Sequence, residues 1–170
     1  MVDEEKASHI PSRHQEIINE LIDGKESADR VSIPEGSYVK IKNEAYGGSF
    51  ITCPAILLES ENGEKSCLHV TYDELIDALQ TGTLKRAVDF KELLTDIAES
   101  KKISILLTAE TSKNESRAEE FNELKKKLAP FLEKVNAKVT FKSVPGNQFQ
   151  LVITKNDASI WRGTDFVDLL

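Results

Sequence analysis

A short stretch near the end of the chain carries the side chains best suited to contact a ligand or a partner. Gln148 and Gln150 lie two residues apart in a strand-like run, so both amides point to one face. Lys155 and Arg162 could hold an anion. Trp161, the single tryptophan, would mark an interface if exposed and belong to the core if buried. These residues are the candidates for a ligand or interface site, although the pattern by itself favours the simpler interpretation, an ordinary polar edge facing solvent.

The sequence holds no intact catalytic motif, so we name no catalytic residue and favour a protein that is not an enzyme. The acids that a hydrolase of unidentified chemistry would use are Asp73, Glu74, Asp77 and Asp157. These acids fall at predicted helix starts and turns. There, helix capping explains them without catalysis, as in the capping box predicted for Thr71 and Glu74.

The cysteines and histidines do not form a recognisable metal site, and we expect no metal and no other cofactor. Cys53 and Cys67 lack the further ligands at short spacing that structural zinc needs. The histidines His9, His14 and His69 have no cysteine or glutamate at ligand spacing, so we interpret them as surface or core residues. Two unpaired cysteines fit a reducing compartment and a cytoplasmic protein.

Charge and hydropathy narrow the choice of partners. The 170-residue chain has a formal net charge of −7, which argues against a nucleic-acid partner because neutralising phosphates supplies much of that affinity. A nucleic-acid-binding accessory factor remains an alternative that would use Lys125–Lys127 with Lys40 and Lys42. The sequence has no apolar run long enough for a spanning helix and no apolar signal region at its start.

The first half of the chain divides into two predicted parts. Residues 1–35 form an acidic segment with one short helix, which Ser12 and Gln15 would begin as a capping box and Gly24 would end. Residues 36–87 form a small β-rich module of three strands and a short helix.

Within this module, the dipeptide Asn62-Gly63 predicts a two-residue hairpin turn. That register places Cys67 opposite Leu58. The apolar face of the hairpin would then comprise Cys53, Ala55, Leu57, Leu68, Val70 and Tyr72.

Residues 88–170 are predicted to form a three-layer α/β module. The apolar run Ile103–Leu107 is typical of a strand covered on both faces. A capping box at Ser112 and Glu115 would begin a long helix, in which Pro130 predicts a kink or break. Three strands follow, and the helix is long enough for a right-handed parallel crossover. The overall fold class is α+β or α/β.

This C-terminal half resembles one half of a phospholipase D-type phosphodiesterase domain. That family carries His-x-Lys on a strand, then four residues, Asp, six residues, and Gly-Ser-x-Asn. The sequence QFQLVITKNDASIWRGTD aligns with this pattern without a gap. The aligned positions are Gln148 for His, Gln150 for Lys, Lys155 for Asp, Arg162 and Gly163 for Gly-Ser, and Asp165 for Asn.

The resemblance implies a catalytically degenerate module, because every functional residue of the motif differs. An imidazole must attack phosphorus and an ammonium must stabilise the developing charge, and a glutamine amide does neither. We therefore expect a non-catalytic interaction or regulatory protein, self-associating or binding a protein partner through this module. The hydrolase and the nucleic-acid-binding factor are the alternatives.

Overall fold

The computed structural model describes residues 10–84, 88–162 and 165–170, and it confirms a mixed α and β protein. Its helices are α1 (Ser12–Ile22), α2 (Tyr72–Thr81), α3 (Phe90–Ala98) and α4 (Ala118–Leu132). Its strands are β1 (Arg30–Ile33), β2 (Ser37–Ile41), β3 (Glu44–Phe50), β4 (Ala55–Ser60), β5 (Lys65–His69), β6 (Ser100–Thr108), β7 (Lys138–Val144), β8 (Phe149–Ile153), β9 (Ala158–Arg162) and β10 (Asp165–Leu169). His9, the first residues of the acidic segment and Gly163 lie outside the described residues.

These strands form two five-stranded sheets. Sheet A has the order β1-β3-β8-β9-β10, and sheet B has the order β2-β5-β4-β6-β7. The pairings are antiparallel except for β1 with β3 and β6 with β7. The strands β6 and β7 are joined through α4 and pair in parallel, which confirms the predicted parallel connection.

The two sheets pack face to face, and helices cover their outer faces. The core between the sheets combines residues such as Phe149 and Leu151 from sheet A with Leu57 and Leu106 from sheet B. Helices α2, α3 and α4 cover the outer face of sheet B through a second apolar cluster. Helix α1 covers the outer face of sheet A through a smaller one. The layers therefore run helix, sheet, sheet, helices.

Segments predicted to be separate modules share these sheets. Strand β3, from residues 36–87, pairs with β8, and β4 pairs with β6, so strands from both sides of residue 87 build both sheets. The strands of the predicted three-layer unit, residues 88–170, are divided between sheets A and B. Apolar patterning predicted three strands in residues 36–87, where the described residues form four, because the segment of β3 was interpreted as a turn. It also did not indicate which distant strand each one joins.

The predicted register of the hairpin of β4 and β5 is wrong by one residue. Leu58 pairs with Ser66, because the loop holds three residues that end at Gly63 in a left-handed conformation with φ +80°. A shift of one residue reverses which side chains share a face. Leu68 therefore packs under the helices, whereas Cys67 faces the core between the sheets. Both faces of these strands are apolar, so patterning could not decide the register.

Helix caps were predicted with mixed success. The capping box of Thr71 and Glu74 at α2 is confirmed. The predicted box at Ser12 is wrong, because Pro11 precedes the helix and supplies no side-chain cap. The box predicted at Ser112 is also wrong. The backbone amides of Lys113 and Glu115 donate to the Thr111 hydroxyl, and α4 begins only at Ala118.

Helix α4 passes through Pro130 without a break and ends at Leu132. None of the described helices is both long enough and apolar enough to cross a membrane.

Candidate ligand-binding cleft

The five predicted site residues lie at two ends of the hairpin formed by β8 and β9. Gln148 is exposed just before β8, and the Gln150 amide donates to the Ser49 hydroxyl at 3.3 Å. Arg162 is exposed near the same end, at the last position of β9. Lys155 follows β8 at the opposite end. The positions that the phospholipase D resemblance aligns with one site are therefore not brought together, and the resemblance stays a prediction.

Trp161 belongs to the protein core. Its side chain is only 1% exposed and packs with Ile17 and Ile18 of α1 and with Val152 of β8. An exposed tryptophan would have marked an interface, and this one instead holds α1 on sheet A. Self-association through this part of the chain stays a prediction.

Lys155 lines a cleft of about 520 Å³, and three other lysines are also part of its lining. We call this cavity the lysine cleft, after Lys40, Lys42, Lys65 and Lys155. It lies where the end of β2, the hairpin of β4 and β5, the end of α3 and the turn between β8 and β9 meet. The sequence analysis pointed towards this cleft only through Lys155, which it identified as a residue that could hold an anion.

Lys65 is the buried lysine of the cleft. Its side chain is 7% exposed, its Nζ donates to the Lys155 carbonyl oxygen at 2.6 Å, and it lies 3.3 Å from Glu59 Oε1. This ammonium group links sheet B to the turn of sheet A. Sequence reasoning missed Lys65, because the incorrect hairpin register hid the fact that its side chain points between the sheets.

Lys42 and Lys155 are the exposed lysines available to a ligand. Both side chains line the cleft, and neither has an ion-pair partner among the residues that the structure describes. Lys40, by contrast, contacts Glu92 at 2.7 Å and Asp96 at 3.6 Å, which raises its pKa above the ordinary value. Lys42, Lys65 and Lys155 supply the remaining amines of the cleft lining.

Acids at the end of α3 also line the cleft. Asp96 accepts a 2.5 Å hydrogen bond from the Tyr38 hydroxyl, which is also 2.8 Å from Ser66 Oγ. Burial and this carboxylate raise the pKa of Tyr38 well above its ordinary value, so Tyr38 remains a donor. Glu99 and Glu64 also line the cleft, and within the described part of the chain neither carboxylate forms an ion pair.

Neutral hydrogen-bonding groups and two aliphatic residues complete the lining. The neutral polar residues are Ser60, Asn62, Ser66, Ser100 and Thr154, and the aliphatic residues are Ile41 and Leu58. A smaller cavity of about 180 Å³ is also lined by Lys65, together with Glu59 and Asp157. Lys65 therefore contributes to the lining of both cavities.

The turn that carries Lys155 is held from the outer layer by a buried histidine. His14 of α1 is fully buried, with Nδ1 2.5 Å from Ser159 Oγ and Nε2 3.2 Å from Thr154 Oγ1. Burial lowers the pKa of His14, so the ring is neutral at pH 7. This histidine, interpreted from the sequence only as a surface or core residue, connects α1 to a residue that lines the cleft.

Apart from Lys40 and Lys42, the residues of the alternative functions do not line the lysine cleft. Glu74 caps α2, as its position predicted. The three lysines of α4 are not part of its lining, and Lys125 Nζ lies 4.6 Å from the Phe121 ring centroid. Within the described ranges, no group of three or more histidine, cysteine or acidic side chains is placed to hold a metal ion. Both cysteines are buried, and they form no disulfide within the described residues.

Comparison with known proteins gives no match: no protein-family model matches the sequence, and no curated protein matches it significantly. The case for a function therefore depends on the chemistry of the cleft.

Proposed function

We propose that this protein is a non-catalytic binding or regulatory protein that takes a small anionic molecule into the lysine cleft. The observation that carries the proposal is the set of lysines in one cleft, which buried Lys65 lines together with exposed Lys42 and Lys155. Lys65 is held in place by Glu59 and the Lys155 carbonyl oxygen. Its position is therefore set before a ligand arrives, and less ordering is required on binding.

The size and depth of the cleft favour a small molecule. Its volume of about 520 Å³ falls within the usual range of small-ligand sites. A partly enclosed site also strengthens the attraction between an ammonium group and an anion, because the effective dielectric constant is below that of bulk water. Because the protein has a net charge of −7, the rest of its surface repels extended polyanions. This local basic surface therefore favours small anions.

Regulation would act through the turn between β8 and β9. A ligand anion that contacts Lys65 and Lys155 would alter the support of this turn, which α1 also contacts through His14 and Thr154. In this proposal, ligand binding in the cleft changes how strongly α1 is attached to sheet A. By thermodynamic linkage, the attachment of α1 must change the affinity of the cleft for the ligand by the same factor.

Binding of inorganic phosphate, measured by isothermal titration calorimetry at low ionic strength, tests the proposal. The double variant Lys42→Ala/Lys155→Ala removes two exposed cleft lysines, and we expect each removal to weaken binding about fivefold. The matched control, Lys126→Ala/Lys134→Ala, changes the net charge equally on exposed positions away from the cleft lining. Equal weakening by the two double variants, or no saturable binding to the native protein, would contradict the proposal.

A further inference from the structure

Four strands form the edges of the two sheets, and three of these edge strands are short or irregular. Sheet A ends at β1 and β10, and sheet B ends at β2 and β7. Strand β1 has four residues and β2 has five, and the pairing of β10 shifts register between Phe166 and Asp168. Short edge strands and irregular pairing limit the addition of another strand.

Strand β7 has neither of these protective features. Its seven residues, Lys138–Val144, pair one for one with β6 without a bulge, and none of them is a proline. Among the described strands, none pairs with the outer edge of β7. A long, regular edge of this kind is a template on which an extended peptide can add as a further strand.

The backbone pairing shows which groups of β7 point outward. The Ala109 amide donates to the Val144 carbonyl oxygen at 2.7 Å, so the backbone polar groups of Val144 point towards β6. The N–H and C=O groups of successive residues point to opposite edges of a strand. The outward donors and acceptors of β7 therefore belong to Val139, Phe141 and Ser143.

The side chains of β7 divide between two faces, and lysines accompany both. Lys138 and Lys142 lie on the face that continues the core between the sheets. Val139 and Phe141 lie on the other face and pack against the apolar cluster under the helices. Lys125 of α4 approaches this second face, with its Nζ 5.8 Å from the Phe141 ring centroid. None of the seven residues of β7 is acidic.

This distribution of charge disfavours a second copy of the chain as the added strand. Two-fold antiparallel pairing centred on Thr140 would place Lys138 directly opposite Lys142 of the other copy, and like charges in that position are destabilising. Pairing centred on Phe141 would place Lys142 diagonal to its own copy, still within reach of a long side chain. An acidic strand would instead form pairs of opposite charge at the same positions.

We infer that β7 binds an extended acidic segment of a protein partner, which joins sheet B as a sixth strand. Alternate residues of this segment are acidic and face Lys138 and Lys142. The residues between them are apolar and contact Val139 and Phe141. The residues of β7 do not line the lysine cleft, so this inference is independent of the proposed function.

A fluorescently labelled seven-residue peptide of alternating glutamate and valine, blocked at both ends, tests the inference. We expect saturable binding by fluorescence anisotropy that weakens as salt is added. Bound peptide should slow amide hydrogen exchange at Val139, Phe141 and Ser143, measured by nuclear magnetic resonance, and leave β1 and β2 unchanged. A peptide with proline in place of valine keeps the charge but loses backbone donors, and should bind at least tenfold more weakly.

Two pairs of variants separate backbone pairing from charge. Ser143→Pro removes an outward donor at an exposed position and should weaken the glutamate–valine peptide at least fivefold, whereas Ser143→Ala keeps the N–H group and should bind normally. Lys138→Glu should weaken binding about fivefold more than Lys126→Glu, which makes the same charge change at an exposed position of α4. Denaturant titrations establish that each variant folds.

Several outcomes would overturn the inference. Equal binding of the proline peptide, or equal weakening by Lys138→Glu and Lys126→Glu, would show a general attraction of charge without an added strand. Absence of saturable binding would also overturn it. A dimer in sedimentation, with slow exchange at the three outward amides before peptide is added, would identify a second copy as the occupant. If Ser143→Pro does not fold, the exchange measurement and the lysine variants decide.

Discussion

The two helical layers differ in what attaches them to their sheets. Thirteen buried residues form the cluster between sheet B and its helices, whereas the cluster under α1 has four, counted over the described residues. Helix α1 compensates with polar contacts, namely the His14 contacts to Ser159 and Thr154 and the ion pair of Arg13 with Glu44. Apolar burial is insensitive to pH and salt, and polar attachment is sensitive to both.

This difference indicates that the two helical layers have different roles. The layer over sheet B supplies stability, and α1 is the layer whose attachment can change with conditions. Elements that respond to ligands usually come from the less stable part of a fold. The contact between α1 and Thr154 places that responsive layer next to the lysine cleft.

The largest effect is expected from the core under sheet B. Ile103 is fully buried in the larger cluster, and Ile103→Ala should lower the free energy of unfolding by about 4 kcal/mol through lost burial and a cavity. Ile17→Ala, in the smaller cluster, should lower the free energy of unfolding by about 2 kcal/mol, because α1 can shift and fill part of the cavity. Denaturant titrations measure both. Ile22→Ala is the exposed control, and an equal cost at Ile17 and Ile103 would remove the contrast between the layers.

A second effect concerns the polar attachment of α1. His14→Ala removes both side-chain hydrogen bonds and leaves buried hydroxyls without that partner, at a cost of about 2 kcal/mol. Amide hydrogen exchange should accelerate in α1 and remain unchanged in α3 and α4. The neighbouring exposed Gln15→Ala serves as the control. Accelerated exchange spread evenly over all helices would show that the attachment of α1 is not local.

The pH dependence follows from the buried histidines. Burial lowers the pKa of His14 and His69 below the ordinary 6.5, so below that pH the unfolded chain binds more protons than the folded protein. The free energy of unfolding should therefore fall from pH 7.5 to pH 5.5, conditions above the range where Glu20 and Glu44 titrate. Parallel denaturant titrations of His14→Ala should show a shallower fall. An unchanged slope would exclude His14 as a source of the pH dependence.

The smallest effect is expected at the ion pair of Arg13 and Glu44. The contacts are short, at 2.6 and 2.8 Å, and they hold the pKa of Glu44 below its usual value. Arg13 is 40% exposed, so solvent screening limits the contribution of the pair. Glu44→Gln should destabilise the protein by about 0.5 kcal/mol at low salt and by less at 1 M salt, measured by thermal unfolding. A cost that does not change with salt would argue against an electrostatic origin.

Some elements were predictable because their signals are local. The strands β7, β8 and β9 and the capping box of α2 follow from patterns spanning a few residues, and the structure confirms them. The candidate site was harder. Lys155 was identified as able to hold an anion, but Gln148 and Arg162 lie at the other end of the hairpin, and Lys65 was missed.

By itself, the sequence determined most of the helices and strands and the acidic character of the chain. Only the tertiary structure decided the division of the strands between two sheets, the register of β4 against β5, the burial of Trp161 and the convergence of four lysines on one cleft. The physical reason is the separation along the sequence over which each interaction acts. Capping and periodicity act over a few residues, whereas strands that are apolar on both faces can pair in several ways, and the packing of distant segments selects one of them.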